Sequence, residues 1–316
     1  LGKSWKPLAI MFSVFGMIGA LPVVNVNQLT QAINDIVLTP NGVEVGLFTN
    51  SIIAIVLVAL TSVIIFGGLK RISNAASKMV PSMVLLYFVL VVFILISNYE
   101  VVPKYFYMIF TDAFGAGYYS KGDSLFGGVL GALILHGIRR GAFSNEAGIG
   151  TAPMAHGAAK TDEPIREGLV AMLGPAIDTL IVCTLTALAI LVTGVWETTS
   201  DNGVTLTASA FNNAMPGIGN YLLMICVVIF SVSSLFSYSY YGSKCMSFLI
   251  GADKKHYYNY IYIISIILAV LTPFSMMLNL IDGVFALMAI PTMTATIILA
   301  PRVTKEIKSY FKRIKD

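Results

Sequence analysis

Charge is scarce in this sequence. Charged residues make up 11% of the 316 positions, where soluble domains carry about a quarter. That shortage excludes an ordinary soluble domain. The net charge of +4 makes no case for nucleic acid, because the basic residues sit in loops where membrane topology accounts for them. Cysteine is nearly absent too. Cys183, Cys226 and Cys245 are widely separated, two within apolar runs and one near a helix end. They read as reduced thiols packed among helices, neither a disulfide framework nor a metal set. His136 and His156 stand too far apart to share one helix-face metal site and are read as structural. No signal peptide is expected. The chain starts at Leu1 and a transmembrane run begins almost at once, so a fragment without its own N-terminus is expected.

What is present is apolar length. Hydrophobic residues make up 57% of the chain, and several runs reach the ~20 residues that cross a bilayer. Eight spans are expected, at 7–24, 46–68, 79–97, 125–158 (interrupted), 168–195, 218–249, 257–277 and 281–300. The segment 101–124 is aromatic and suits a membrane interface. Lys104 and Lys121 lie in outer loops, and Arg139 and Arg140 lie in the interrupted span. All other basic residues fall on one side if Leu1 is cytoplasmic, a positive-inside signal that also places the C-terminus in the cytoplasm. The tail 301–316 is basic. It reads as an amphipathic helix on an anionic leaflet or as a solvated end.

One stretch departs from its surroundings. In "RRGAFSNEAGIGTAP", residues 139–153, two arginines, a Ser-Asn-Glu triplet, glycines and a proline separate two apolar runs. Gly141, Gly148, Gly150 and Pro153 disfavour helix. Breaking a helix in lipid frees backbone groups that need partners. Such breaks line the binding sites of secondary transporters, where half-helix termini and freed carbonyls meet a small zwitterion and a cation. The alternative is a packing kink, which has no use for Ser, Asn and Glu together.

Ionisable groups at that depth are costly, on the order of 3 kcal/mol at the centre of a span. Arg140, Glu146 and Asp178 are the intramembrane charges, and Arg140 and Glu146 are expected to neutralise each other. Asp178 lies in "GPAIDTLIVCTLT", followed by Thr179. Asn25, Asn27 and Gln28 crowd the end of the first span. Ser231, Ser233, Ser234 and Ser237 line the sixth, and Ser234 and Tyr238 share a helix face at i and i+4. Each polar set has a structural alternative: close backbone packing for the serines, a cap for the Asn-Gln cluster, and local hydroxyl bonding for Asp178.

The stretch "GAFSNEAGIGTAPMAHGAA" resembles the signature of the alanine or glycine:cation symporter family. Its core, Arg-Gly-x-Phe-Ser-Asn-Glu-Ala-Gly-x-Gly-(Ser/Thr)-Ala-Pro, runs unbroken from Arg140 to Pro153. "GKSWKPLAIMFSVFG", "SYYGSKC" and "DGVFALMAIP" extend the resemblance over most of the chain. It implies an all-α polytopic membrane protein of the LeuT-type inverted-repeat fold, lacking the first two core helices. Residues 1–100 would hold the last three helices of the first repeat and 125–300 the five helices of the second. It further implies Na⁺-coupled symport of a small neutral amino acid, alanine or glycine, into the cell across the plasma membrane, with H⁺ as an alternative coupling ion. The substrate site would be built from Asn25, Gln28, Phe143, Ser144, Asn145, Gly148, Ser234 and Tyr238, with Ser233 and Ser234 toward the cation.

Two departures affect the pocket wall. The family's Gly-Asn-x-x-Gln becomes Val24-Asn25-Val26-Asn27-Gln28, and its Thr and Trp four apart become Ser234 and Tyr238. A passive channel or a non-transporting fragment is the alternative function. An intramembrane enzyme would need a base beside Ser144 or Asp178, and no histidine spacing supplies one. If two helices are missing, the groove beside Asn145, Gln28 and Ser234 is expected to stand open on one side.

Overall fold

The computed structural model describes residues 2–114, 126–146 and 148–315. Among these residues every regular element is helical. Helices α1 (Lys6–Gly19) and α2 (Val23–Ala32) form one broken crossing, which runs on through a π-helical turn at Ile33–Leu38. Then come α3 (Leu47–Ile65), α4 (Gly68–Ser97) and α5 (Val102–Phe114). After α6 (Phe126–Ser144) and α7 (Thr151–His156), the next crossing strings together α8 (Pro164–Ala171), α9 (Leu173–Pro175), a π-helical segment (Ala176–Cys183) and α10 (Thr184–Thr193). The short α11 (Val195–Thr198) and α12 (Val204–Ala214) lead to α13 (Gly219–Ile250), α14 (Tyr257–Leu271) and α15 (Phe274–Lys315).

Among the described residues, six helical segments are long and apolar enough to cross a membrane: Lys3–Asn41, Leu47–Ile65, Lys70–Ser97, Pro164–Thr193, Gly219–Ile250 and Phe274–Lys315. The eight spans read from sequence include two more. One is the interrupted span, which is two helices, α6 and α7. The other is α14, which at 15 residues is shorter than expected. It stops at Leu271 because Pro273 follows, and the residue before a proline avoids the helical region; Thr272 is extended, with ψ 141°. The aromatic segment expected at 101–124 is helical as α5, and its second half lies outside the described residues. The basic tail is not a separate end. It continues α15, and Arg313 reaches Glu163 at 2.6 Å.

The core lies where α2, α4, α13 and α14 meet, around Val26, Leu29, Val91, Ile94, Leu235, Phe236, Tyr258 and Tyr262. Apolar side chains also face outward. Phe48 on α3, Leu85 on α4 and Ile297 on α15 are each largely exposed. An apolar surface of this kind belongs against lipid, and the chain is a multi-pass membrane protein.

The first break shows how a freed backbone group finds a partner. Pro22 has no N–H for the Ile18 carbonyl, so Leu21 N–H turns to Ile18 at 3.0 Å. That leaves the Met17 carbonyl, which accepts the buried Tyr258 hydroxyl at 2.7 Å. Gly242 on α13 makes room for this tyrosine, since a Cβ there would lie 1.9 Å from the ring. Gly16 and Gly19 likewise admit Cys245, Met288 and Phe285. Small residues at helix crossings let backbones approach closely. The sequence "SYYGSKC" therefore carries packing as well as polarity.

Candidate functional site

The break between α6 and α7 is built by backbone conformation. The α-helical bonding of α6 ends with Asn145 N–H on the Gly141 carbonyl at 3.1 Å, and Glu146 N–H then bonds Phe143 at 3.2 Å. Glu146 takes φ 53°, the positive φ of a non-glycine residue among those described. Gly148 and Gly150 follow at φ 74° and 98°. A left-handed Glu costs of order 1 kcal/mol or more and persists only where the surroundings fix it. Here they do. A Cβ on Gly150 would meet Phe12 at 2.5 Å and Thr292 Oγ1 at 2.6 Å, so α1 and α15 close directly on the turn. The Thr292 hydroxyl lies 3.2 Å from the Ile149 carbonyl.

The left-handed turn also decides the charge pairing. It carries Glu146 toward Thr151, His156 and the Tyr238 and Tyr241 rings of α13. Arg140, nearly two turns earlier on α6, pairs with Asp282 of α15. The expected Arg140–Glu146 pair is thus corrected: Arg140 is neutralised from another helix. Its guanidinium also lies over the Phe143 ring at 5.4 Å, and Phe143 meets Phe285 edge-on at 5.3 Å. Two i, i+3 pairs, Arg140/Phe143 and Asp282/Phe285, therefore face each other. Among the described residues, Arg140 Nε and Asp282 Oδ1 are buried with no hydrogen-bond partner. Asp282 went unread in the sequence, although it opens the "DGVFALMAIP" stretch and is an acid near the start of an apolar run.

On the other face of the break, the π-helical segment Ala176–Cys183 supplies two consecutive partners. Ser144 Oγ donates to Asp178 Oδ2. Asn145 Nδ2 lies 2.9 Å from the Gly141 carbonyl and 2.6 Å from Thr179 Oγ1, and Thr179 Oγ1 lies 2.8 Å from Asn145 Oδ1. Single π-turns inside α-helices recur at functional positions. The structure thus brings Ser144, Asn145 and Asp178 together, adds Thr179, and sets Glu146 near Tyr238.

The other residues read from sequence stand apart from this cluster. Asn27 serves α14. Its Nδ2 donates to Ala269 O at 3.2 Å and Thr272 O at 2.6 Å, satisfying carbonyls that a helix end leaves open. The cap expected for the Asn-Gln cluster is therefore on a different helix. Gln28 bonds Gln31 at 3.4 Å and lies against Gly203 in the loop before α12. Asn25 is half-buried on α2. Ser233 is buried and donates to Phe230 O of its own helix at 2.9 Å. His156 bonds Glu167 at 2.7 Å, in keeping with a structural role.

A cavity of about 990 Å³ reaches the break from the side of the basic residues Lys3, Lys6 and Lys244. Phe12, Gly150, Pro153, Met154 and Thr292 line its inner part. Asn145, Gln28 and Ser234 do not line it, so it is not the groove expected beside those three.

The whole chain, residues 1–316, matches the model of the sodium:alanine symporter family. The chain belongs to that family. Among similar proteins, an uncharacterized transporter of Haemophilus influenzae is 34% identical over 100% of this chain and 67% of its own length. The sodium/alanine symporter AgcS of Methanococcus maripaludis is 35% identical over 96% of this chain and 65% of its own. A probable sodium/glutamine symporter, GlnT of Bacillus subtilis, is 32% identical over 83% and 54%. The chain thus spans about two thirds or less of the length of these family members. The family is one of transporters, and the Ser144–Asp178 contact is read in that light.

Proposed function

We propose that the protein to which this chain corresponds is a secondary active transporter that couples a cation, Na⁺ with H⁺ as the alternative, to uptake of a small neutral amino acid. The observation that carries the reading is the break itself. Glu146, Gly148 and Gly150 are held left-handed between α6 and α7, and Ser144 and Asn145 stand at the end of α6 immediately before them. Backbone in this state is tolerated at membrane depth where it is buried in protein or lines a cavity, and it is the form in which transporters hold substrate and ion. Phe143, Gly148, Ser234, Tyr238, Asn25 and Gln28 complete the proposed substrate site.

The cation proposal rests on Ser233 and Ser234. A serine that donates its proton to its own helix, as Ser233 does to Phe230, keeps oxygen lone pairs unused by that bond, and oxygen lone pairs are what a hard cation takes. The LeuT-type arrangement belongs to the same proposal, with residues 1–100 and 125–300 as parts of two inverted repeats, 101–124 at the outer interface and the C-terminus cytoplasmic. So does the choice of amino acid. One relative's name cites alanine and another's glutamine, which makes both the first substrates to try beside glycine.

The test is uptake by the whole protein in proteoliposomes with a Na⁺ gradient, against choline at constant pH. Concentrative, saturable, Na⁺-dependent uptake is expected, and Asn145→Ala is expected to abolish it while the protein stays in the membrane. Uptake that never exceeds equilibrium would instead favour a channel.

A further inference from the structure

The cavity of about 990 Å³ has two unlike ends. Its mouth is basic. Lys3 just before α1, Lys6 at its first residue and Lys244 on α13 all line it, and all three are exposed. Among the described residues no Asp or Glu lines the cavity, and none of the three lysines has an acidic partner. Like charges gathered at one opening repel each other, and the wall supplies nothing to offset that.

Behind the mouth the wall turns apolar, with Phe12, Met154, Phe248 and Leu299. The two threonines of α15 give their hydroxyl protons to backbone carbonyls: Thr292 to Met288 at 3.0 Å or Ile149 at 3.2 Å, Thr296 to Thr292 at 2.9 Å. From Lys6 to Phe12 is about 9 Å along α1, and from Leu299 back to Thr292 about 10 Å along α15. The cavity is therefore long as well as two-natured. Water finds few partners in an apolar space. A small amino-acid zwitterion carries its two charges a few atoms apart, so one of them would face the apolar wall unpaired. An amphiphile with an anionic head and an apolar chain meets both ends at once. Basic pockets between transmembrane helices take anionic lipid head groups in this way.

We propose that the cavity is a binding site for an anionic phospholipid, with its phosphate against Lys3, Lys6 and Lys244 and one acyl chain running inward along α1 and α15 toward Gly150. The lipid comes from the leaflet on the basic side, the cytoplasmic one in the orientation proposed above. A chain seated there reaches Phe12 and Thr292, the residues that close on the Gly150 turn, so occupancy ties lipid composition to the setting of the break. This goes beyond the symport reading and does not depend on it.

The experiment titrates the purified whole protein in detergent micelles with dioleoyl phosphatidylglycerol and with dioleoyl phosphatidylcholine, and counts bound lipid by native mass spectrometry. One tightly held phosphatidylglycerol is expected, favoured at least about tenfold over phosphatidylcholine, and each of Lys3→Gln, Lys6→Gln and Lys244→Gln is expected to weaken it about fivefold. Lys254→Gln with Lys255→Gln, on the same side but outside the cavity, is expected to leave it within about twofold. Ala295→Trp fills the apolar part without touching a charge and is expected to weaken both lipids at this site about tenfold. Should that variant fail to fold, Ala9→Phe fills the same space from α1. Inorganic phosphate in large excess is expected to leave the lipid bound; displacement by phosphate would assign the mouth to a free anion and overturn the proposal. A phosphatidylglycerol preference unchanged in the triple lysine variant overturns it too. So does lipid binding unmoved by both filling variants, the result expected if another part of the whole protein occupies the cavity. Lipid binding as expected in a protein without Na⁺-dependent uptake upholds this proposal and strikes the symport reading alone.

Discussion

Arg140 and Asp282 allow the pairing across α6 and α15 to be measured. The Arg140 side chain is 35% exposed and that of Asp282 14%. Replacing Asp282 by leucine strands an arginine at membrane depth, which costs about 2.5–3.5 kcal/mol on insertion scales. The partial exposure and the Phe143 ring beneath the guanidinium soften that, so about 2 kcal/mol is expected for Asp282→Leu. Arg140→Met strands the more buried partner and is expected to cost about 3 kcal/mol, at the lower end for breaking a buried pair. The double variant removes both charges and fills the space with apolar atoms. Such replacements are often neutral, so the double is expected to cost about 1 kcal/mol or less, about 4 kcal/mol below the sum of the singles. The assay is unfolding free energy in lipid bicelles for the four members of the cycle. A second cycle, Arg140→Met with Glu146→Gln, is expected to be additive within about 0.5 kcal/mol, because the left-handed turn points Glu146 elsewhere. Additivity in the first cycle, or coupling in the second, would refute the pairing drawn from the structure.

Three further outcomes are expected. Gly242→Ala places a Cβ 1.9 Å from the Tyr258 ring and should destabilise by about 2–3 kcal/mol through overpacking, seen as a lower unfolding midpoint. Tyr258→Phe leaves the Met17 carbonyl without its 2.7 Å partner and should cost about 1–2 kcal/mol; an unchanged midpoint would mean that another donor satisfies Met17. Asn27→Ala removes both side-chain bonds to the end of α14 and should speed hydrogen exchange there with a loss of about 1–2 kcal/mol, while half-saturation for the amino acid stays unchanged.

The interruption at residues 139–153 was legible because it violates two patterns at once. Its glycines and proline oppose helix, and its Ser-Asn-Glu triplet opposes lipid. Gly148 and Gly150 fall in the break between α6 and α7, whereas Gly141 and Pro153 lie within those helices. Partners across helices were not legible. Arg140 and Glu146 are close in sequence, and nearness suggested a pair. The φ of Glu146 sent it elsewhere, and Asp282 lies 142 positions away. Asn27 met the same fate, capping a helix that follows it by more than 240 positions. The π-helical segment had no signature in sequence either, because Ala176–Cys183 reads as an ordinary apolar turn with one acid. Sequence reports which groups need partners, while backbone geometry decides which partners they get.

The two breaks make that division concrete. At Pro22 a missing N–H frees one carbonyl, and a buried tyrosine takes it, so the first break is closed by protein alone. At Glu146–Gly150 three residues leave the helical region together. Thr292 reaches one carbonyl, that of Ile149, yet among the described residues Arg140 Nε and Asp282 Oδ1 nearby are buried with no hydrogen-bond partner. Buried polar atoms left unpaired cost about 1–3 kcal/mol each. A break that served only to bend the helix would gain from closing as the first one does. Proteins keep such unpaired polarity at membrane depth where a site has a use for it. The contrast between the two breaks, within one chain, supports the proposal of a ligand at the second.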